Sequence, residues 1–348
     1  MPWAPITPPS CSSKNWRCDV TDAAAAAGLE AWTIGRILTW SVDFLRGKGL
    51  VDSPRLDAEL LLSHALKLAR IQLYMQFDKP LSAAEREPFK GFLQRRGRGE
   101  PVAYITGEKE FMGYRFEVSP AVLIPRPDTE VLVEQILDWA KAKTKIKAES
   151  LDAAHDTDAA AAEGADEVVD TAAAPSWHIL DVGTGSGCVA SSLALKLAAA
   201  QVQVSAWDVD PSALANATAN AARLGASVAF SQCDALEEAS WDGDEAYDII
   251  VSNPPYISPD EATDLSRSVA GFEPQQALFA PPDGLRFYRA LAVLAPRRLK
   301  AGGRLAVEIG ATQAKAVQQI LAEAGWQDIS LRQDWSRLDR VVSAVWWP

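Results

Sequence analysis

Histidine and cysteine are scarce in this chain, with three of the first and four of the second. The histidines are His64, His155 and His178; the cysteines are Cys11, Cys18, Cys188 and Cys233. No Cys-x-x-Cys pair occurs, so neither a disulfide framework nor a Cys/His metal site is expected, and no metal ligands are assigned. Ser-His or Cys-His hydrolase chemistry has few bases to draw on. Cys188 and Cys233 read as small apolar fillers in a reducing compartment. No apolar run approaches the ~18 residues of a membrane helix. A secretory core is missing as well, because Ala23 to Ala27 is short and follows Asp19 and Asp22.

Positive charge is also in deficit. Lys and Arg number 34 against 46 Asp and Glu, a net charge of −12. Non-specific nucleic-acid affinity rests on clustered Lys and Arg, so this balance counts against a nucleic-acid partner. A soluble, monomeric, cytoplasmic protein without membrane attachment is expected; an organellar address is the alternative if the N-terminal extension is a transit peptide. Hydrophobic content of 48% and charged content of 23% belong to a globular chain with a large core. At ~150 residues per domain, the length predicts about two domains.

Residues 1–28, rich in Pro, Ser and Ala, read as a flexible extension. Residues 29–100 carry helical periodicity: Ile34, Ile37 and Leu38 form one stripe, and Leu56, Leu60, Leu61, Ala65 and Leu68 another. Ser53-Pro54 suits a helix start. His64, beside this stripe, reads as a core or boundary residue. Residues 101–122 switch to a period of two and predict a β-hairpin, beginning with Val102 to Ile105 and turning at Met112-Gly113. Residues 123–147 open the larger domain, with a helix from about Thr129 to Lys143 capped by Asp128 or Thr129. Residues 148–175 hold eight acidic residues from Glu149 to Asp170, many alanines and no Lys or Arg, and predict a disordered insert. From 176 to 348 strands and helices alternate. Strands are predicted at Ile179–Val182, Val202–Trp207, Ser227–Phe230, Tyr247–Ser252 and Arg304–Ile309, with a closing pair at Asp328–Arg332 and Arg340–Trp347. That is an α/β architecture with an open, mostly parallel sheet of seven strands.

Asp181-Val182-Gly183-Thr184-Gly185-Ser186-Gly187 ends one predicted strand and opens a helix. Its glycines permit a sharp turn and close approach of a ligand to the backbone. A dinucleotide fingerprint would place its third glycine at 188, where Cys188 stands. The G-x-G-x-G spacing instead favours a nucleoside without pyrophosphate, as in S-adenosylmethionine (AdoMet) sites. Asp208, closing the next strand, can accept both ribose hydroxyl protons. Asp234, after the third strand, is a candidate acceptor for the adenine amino group.

Ser252-Asn253-Pro254-Pro255-Tyr256 follows the fourth strand, on the edge of the sheet where ligands bind in such folds. Two prolines remove two donors and display carbonyl acceptors. Asn253 adds a side-chain carbonyl, and Tyr256 a flat face for a planar group. Acceptors in such number suit a substrate –NH2 whose lone pair must point at a methyl donor.

This Asn-Pro-Pro-Tyr motif resembles that of AdoMet-dependent enzymes that methylate planar nitrogens of adenine or glutamine. Longer motifs narrow the likeness: Leu123-Ile124-Pro125-Arg126-Pro127-Asp128-Thr129-Glu130, Asp181 to Gly187, Val251 to Ile257, Phe272-Glu273-Pro274 with Ala277-Leu278, Asp283-Gly284-Leu285, and Pro54 to Leu61. Together they resemble the peptide chain release factor glutamine methyltransferases (the HemK/PrmC family). The resemblance implies a Rossmann-like class I methyltransferase sheet with a small helical domain joined through the hairpin. It implies transfer of methyl from AdoMet to N5 of the glutamine in the Gly-Gly-Gln motif of release factors, which supports translation termination. By the same resemblance Gly183, Thr184, Gly185, Ser186, Gly187, Asp208, Asp234, Ala235 and Asn253 bind AdoMet. Asn253, Pro254, Pro255 and Tyr256 grip the glutamine amide; Arg126 and Glu130 border the site as substrate-positioning groups.

The chain departs from the family in its N-terminal extension, its long acidic insert, and Ala235, where relatives often have a larger residue after the third-strand Asp. A ribosomal-protein glutamine methyltransferase is the nearest alternative, and Arg126 to Glu130 argue for the release-factor enzymes. An adenine-N6 methyltransferase needs a basic groove for an unstacked base, which the composition does not offer. A non-catalytic AdoMet sensor leaves the intact Asn253 to Tyr256 motif without a purpose.

Overall fold

The structure, a computed structural model, describes residues 31–142 and 177–348; the extension at 1–28 and the insert at 148–175 lie outside the described residues. The chain divides into two compact units, the first ending at Ile105 and the second beginning at Thr106.

The first unit is helical: α1 (Ile34–Gly47), α2 (Pro54–Leu66), α3 (Arg70–Met75), α4 (Ala83–Gly97) and α5 (Val102–Thr106). Thr33 caps α1 by accepting from Arg36 N–H, and Ser82 with Glu85 forms a reciprocal capping box at α4. Ile34, Ile37 and Leu38 meet Leu61, Leu62, Phe89 and Leu93 in one core. The stripe expected on α2 is rotated: Leu56 is exposed, and Asp57, Ala58, Glu59, Leu61 and Leu62 are buried. Burial of the two carboxylates is compensated by cations. Arg96 Nε donates to Asp57 Oδ2 at 2.7 Å, and Arg55 and Arg70 reach Glu59 at 2.6 and 2.7 Å. Hydrophobicity alone could not locate a face that carries paired charge.

Val102 to Ile105, expected as a strand, is instead one helical turn. Ile105 N–H bonds to Pro101 O, and Ile105 joins the helical core with Val102 against it. Tertiary burial at i and i+3 overrides β-branched propensity here. The hairpin that follows is shorter, β1 (Glu108–Phe111) with β2 (Tyr114–Glu117), turning where both Met112 and Gly113 have positive φ.

The second unit contains that hairpin, a helix α6 over 130–142, and the main sheet. The remaining elements are β3 (Trp177–Val182), α7 (Cys188–Lys196), β4 (Val202–Asp208), α8 (Pro211–Leu224), β5 (Ala229–Gln232), β6 (Tyr247–Ser252), α9 (Arg267–Phe272), α10 (Arg286–Leu294), β7 (Leu299–Glu308), α11 (Ala314–Glu323), β8 (Gln327–Gln333) and β9 (Asp339–Trp346). The sheet order is β5-β4-β3-β6-β7-β9-β8. Strands β5 to β7 are parallel, and β9 runs antiparallel to both neighbours. This is the open, mostly parallel sheet of seven strands that the sequence predicts. β5 begins two residues later than the apolar pattern at 227–230 suggests, because only Ala229 to Gln232 pair with β4.

Strand alternation builds two cores. Ile179, Ile249, Val251 and Ala306 face Phe111 and Phe116 of the hairpin, Val133 and Ile136 of α6, and Leu193 of α7. Leu180, Val182, Ile250 and Val307 face Tyr288 and Leu291 of α10 and Val317 of α11. With both faces covered, the ends of the strands are what remains for a ligand. Strand order reverses between β3 and β6, and that switch point fixes which ends.

Candidate active site

The last pair of the β3–β6 register is Val182 with Ser252, locked by Ser252 Oγ donating to Val182 O at 2.7 Å. The glycine loop and the Asn-Pro-Pro-Tyr loop therefore leave the sheet side by side. Gly183 (φ +74°) and Gly185 (φ +56°) have open space where a Cβ would stand, whereas a Cβ on Gly187 would meet Ala217 of α8 at 3.0 Å. Two glycines thus face a ligand and the third lets α7 and α8 approach.

Asp208 stands beneath the loop. Its Oδ2 accepts Gly185 N–H at 2.8 Å and its Oδ1 accepts Asp210 N–H at 3.0 Å. Burial raises its carboxyl above the ordinary range while these N–H bonds act against the rise. Val209 N–H also bonds this carboxylate, which as a four-site acceptor keeps capacity for a ribose hydroxyl. Asp210 also lines the cavity, and its Oδ1 caps α8 by accepting Ser212 N–H at 2.7 Å. Asp181 is buried under the loop and accepts the Thr184 hydroxyl at 2.7 Å; burial pushes its carboxyl up to about 7, with Asp208 adding to the rise. Asp234 accepts Leu236 N–H at 2.9 Å, and Ala235 O accepts the Trp241 indole N–H at 3.1 Å.

These groups line a cavity of about 480 Å3, together with Thr184, Ser186, Arg126, Thr129, Asn253, Pro254 and Pro255. Glycine backbone, a two-oxygen acceptor at Asp208 and a further acceptor at Asp234 fit the ribose and adenine of AdoMet.

Asn253 is held from one side. Its Nδ2 donates to Thr129 Oγ1 at 3.0 Å, and Thr129 is hydrogen-bonded to the buried carboxyl of Glu308 at the end of β7. A hydroxyl that donates its one hydrogen bond to a carboxyl oxygen must accept from Asn253, so the Asn253 –NH2 points to Thr129 and its carbonyl is left to the cavity. The other end of the loop is fixed by Gln313, whose Nε2 donates to Tyr256 O at 2.8 Å. Arg126 Nη2 donates to Glu273 Oε1 at 2.6 Å, and Glu273 Oε2 accepts Ile124 N–H at 3.2 Å. Two segments far apart in sequence are thereby tied at the cavity wall.

A profile for the PrmC N-terminal domain matches residues 36–107, and one for the methyltransferase small domain matches 161–269. The release factor glutamine methyltransferase of Geobacter sulfurreducens is 40% identical over 313 residues, 90% of this chain and 96% of its own. That of Chlorobaculum tepidum is 40% identical over 91% of this chain and 98% of its own, and that of Bordetella pertussis 37% identical over 87% and 98%. The chain belongs to the release factor glutamine methyltransferase family.

Within this family member, the residues singled out from sequence do not all reach the cavity. Gly183, Thr184, Gly185, Ser186, Asp208, Asp234, Ala235, Asn253, Pro254, Pro255 and Arg126 line it. Gly187 serves helix packing instead. Tyr256 is absent from the lining: it packs against the core that holds α10 and α11, and burial pushes its phenol up to about 12. Glu130 is likewise absent, its Oε1 accepting Met112 N–H at 2.7 Å to anchor the hairpin turn. Thr129 and Glu308 were missed. Thr129 reads as a helix cap in sequence, and Glu308 is a lone carboxylate in the apolar run Leu305 to Ile309, an anomaly that itself marks a buried charge.

Proposed function

We propose that this protein transfers the methyl group of AdoMet to N5 of the glutamine in the Gly-Gly-Gln tip of peptide chain release factors. The observation that carries the reading is Asn253, fixed by Thr129 with its carbonyl free, one residue beyond the paired ends of β3 and β6. AdoMet, when bound, supplies an electrophilic methyl group. Gly183 to Ser186, Asp208, Asp234 and Ala235 hold the nucleoside and Asn253 borders it. The Asn253 carbonyl and the backbone carbonyls of the two prolines take the amide N–H bonds.

An amide nitrogen is a weak nucleophile because its lone pair is delocalised. Rate must then come from fixing the –NH2 in line with the methyl group in a site that excludes water. Pro254 and Pro255 keep the loop rigid and free of competing donors. Tyr256, lodged in the core, supports the loop from behind, and Arg126 with Glu273 shapes the wall. Glu130 acts only through the hairpin it anchors.

The domain scheme completes the proposal. The helical unit grips the body of the release factor and the sheet unit performs the transfer, with residues 1–28 and 148–175 outside both tasks. The expected setting is the cytoplasm, as a monomer; among the described residues no helix is long and apolar enough to cross a membrane. Transfer of labelled methyl to intact release factor, to a peptide bearing its Gly-Gly-Gln tip and to DNA tests the reading. Intact factor should be labelled fastest, the peptide weakly and DNA not at all; preferential labelling of DNA would overturn it.

A further inference from the structure

The carboxyl of Glu308 is buried to 1% exposure, and among the described residues its Oε2 finds no hydrogen-bond partner. Such a group is costly to keep, since an apolar residue of similar size would remove the desolvation penalty. Among the described residues the Glu308 carboxyl hydrogen-bonds Thr129. Thr129, 2% exposed, has a single proton and so cannot donate both to Glu308 and to Asn253. The direction of the chain Asn253 to Thr129 to Glu308 is therefore set by its far end.

We propose that Glu308 and Thr129 are positioning residues for methyl transfer: a carboxyl oxygen of Glu308 accepts the hydrogen bond of the Thr129 hydroxyl, which obliges Thr129 Oγ1 to accept from Asn253 Nδ2 and turns the Asn253 carbonyl toward the substrate amide. The proposal rests on the glutamine-methylation reading above. Without the acceptor at 308, the Thr129 hydroxyl donates instead to the Asn253 carbonyl. The Asn253 amide then flips and presents –NH2 to a substrate –NH2, donor against donor. Neither residue touches the methyl group; both act through Asn253. The same end of β7 is followed by Gln313, which holds Tyr256 O. One strand end thus governs both ends of the reactive loop.

Two variants test this with intact release factor as substrate. Thr129→Val removes the hydroxyl at constant shape, and Glu308→Met removes the acceptor while keeping the chain length. Both should lower kcat tenfold or more, with KM for the release factor changed much less and AdoMet affinity by calorimetry within about twofold of wild type. Thr129→Ser should recover the greater part of the Thr129→Val loss. Glu308→Met should also melt no lower than wild type, because it removes a buried charge, so a loss of rate in that variant is not a loss of fold. A decrease in kcat of less than tenfold in Glu308→Met would overturn the proposal, as would an equal loss of AdoMet binding. Wild-type protein that fails to label the release factor at all would instead refute the reading on which the proposal rests.

Discussion

Asp208 and Asp210 stand two residues apart at the end of one strand, and sequence alone leaves either free to hold a ribose. Their hydrogen bonds separate them. Both line the cavity; Asp210 Oδ1 caps the first turn of α8, whereas Asp208 is the carboxylate tied to the glycine loop, through Gly185 N–H. Hydrogen bonds to a charged group contribute roughly 1.5–3 kcal/mol each. Asp208→Ala should therefore weaken AdoMet binding by about 10-fold or more in calorimetry, and Asp210→Ala by far less. The reverse order would move the ribose contact to Asp210. That Gly183, Gly185, Asp208 and Asn253 line one cavity was legible because each stands at the end of a strand of one parallel sheet. Glu308 was not, since its role depends on β7 lying beside β6, a long-range pairing that no local spacing announces. For Tyr256 and Glu130 a motif gives residue identity without side-chain direction, and the structure places the first against the core of α10 and α11 and the second on the hairpin turn.

Among the elements, α2 shows how far periodicity can mislead. Its inner face carries Asp57 and Glu59, and each is acceptable only because an arginine arrives from another turn or helix. Arg96 of α4 reaches Asp57 across the helical unit with side chains 12% and 9% exposed. Removing one partner of a buried pair typically costs about 3–5 kcal/mol, because the other charge stays buried. Arg96→Ala should thus destabilise the protein by roughly that amount in urea denaturation, and Arg96→Ala with Asp57→Ala by less than the single change. Equal losses would mean that packing of the Arg96 stem, and not the pair, is what matters. The central strand β6 (Tyr247–Ser252) was legible to the residue because it carries the run Ile249 to Val251, whereas β7 begins at Leu299, five residues before the expected Arg304, through Lys300, Gly302 and Gly303 that no apolar pattern marks. α5 was not legible, because a single turn is too short for its period to show.

For the whole molecule, burial of Asp181 and Glu308 links stability to pH. Burial pushes each carboxyl up to about 7 in the folded protein, above the ordinary range it regains on unfolding. Around Glu308 stand Arg340 and Arg126, which oppose the rise, and Asp128, which adds to it. Between those limits the folded state binds more protons than the unfolded state, so each group's contribution falls as pH rises through the window. The slope is on the order of 1.4 kcal/mol per pH unit for each group. Urea denaturation at pH 5 and pH 7.5 should show a smaller loss of stability for Glu308→Met than for wild type; an identical loss in both would mean that Glu308 does not titrate in this range.

The central claim is that Asn253 orients a glutamine amide for methylation while the glycine loop and Asp208 hold AdoMet independently. Peptide mass mapping of a release factor incubated with AdoMet and either wild-type or Asn253→Ala protein tests it most directly. The account predicts one added methyl group on the Gly-Gly-Gln glutamine with wild type, and a rate lower by orders of magnitude with Asn253→Ala despite nearly unchanged AdoMet affinity. Methyl groups on other residues, or an Asn253→Ala protein that keeps most of the wild-type rate, would contradict it.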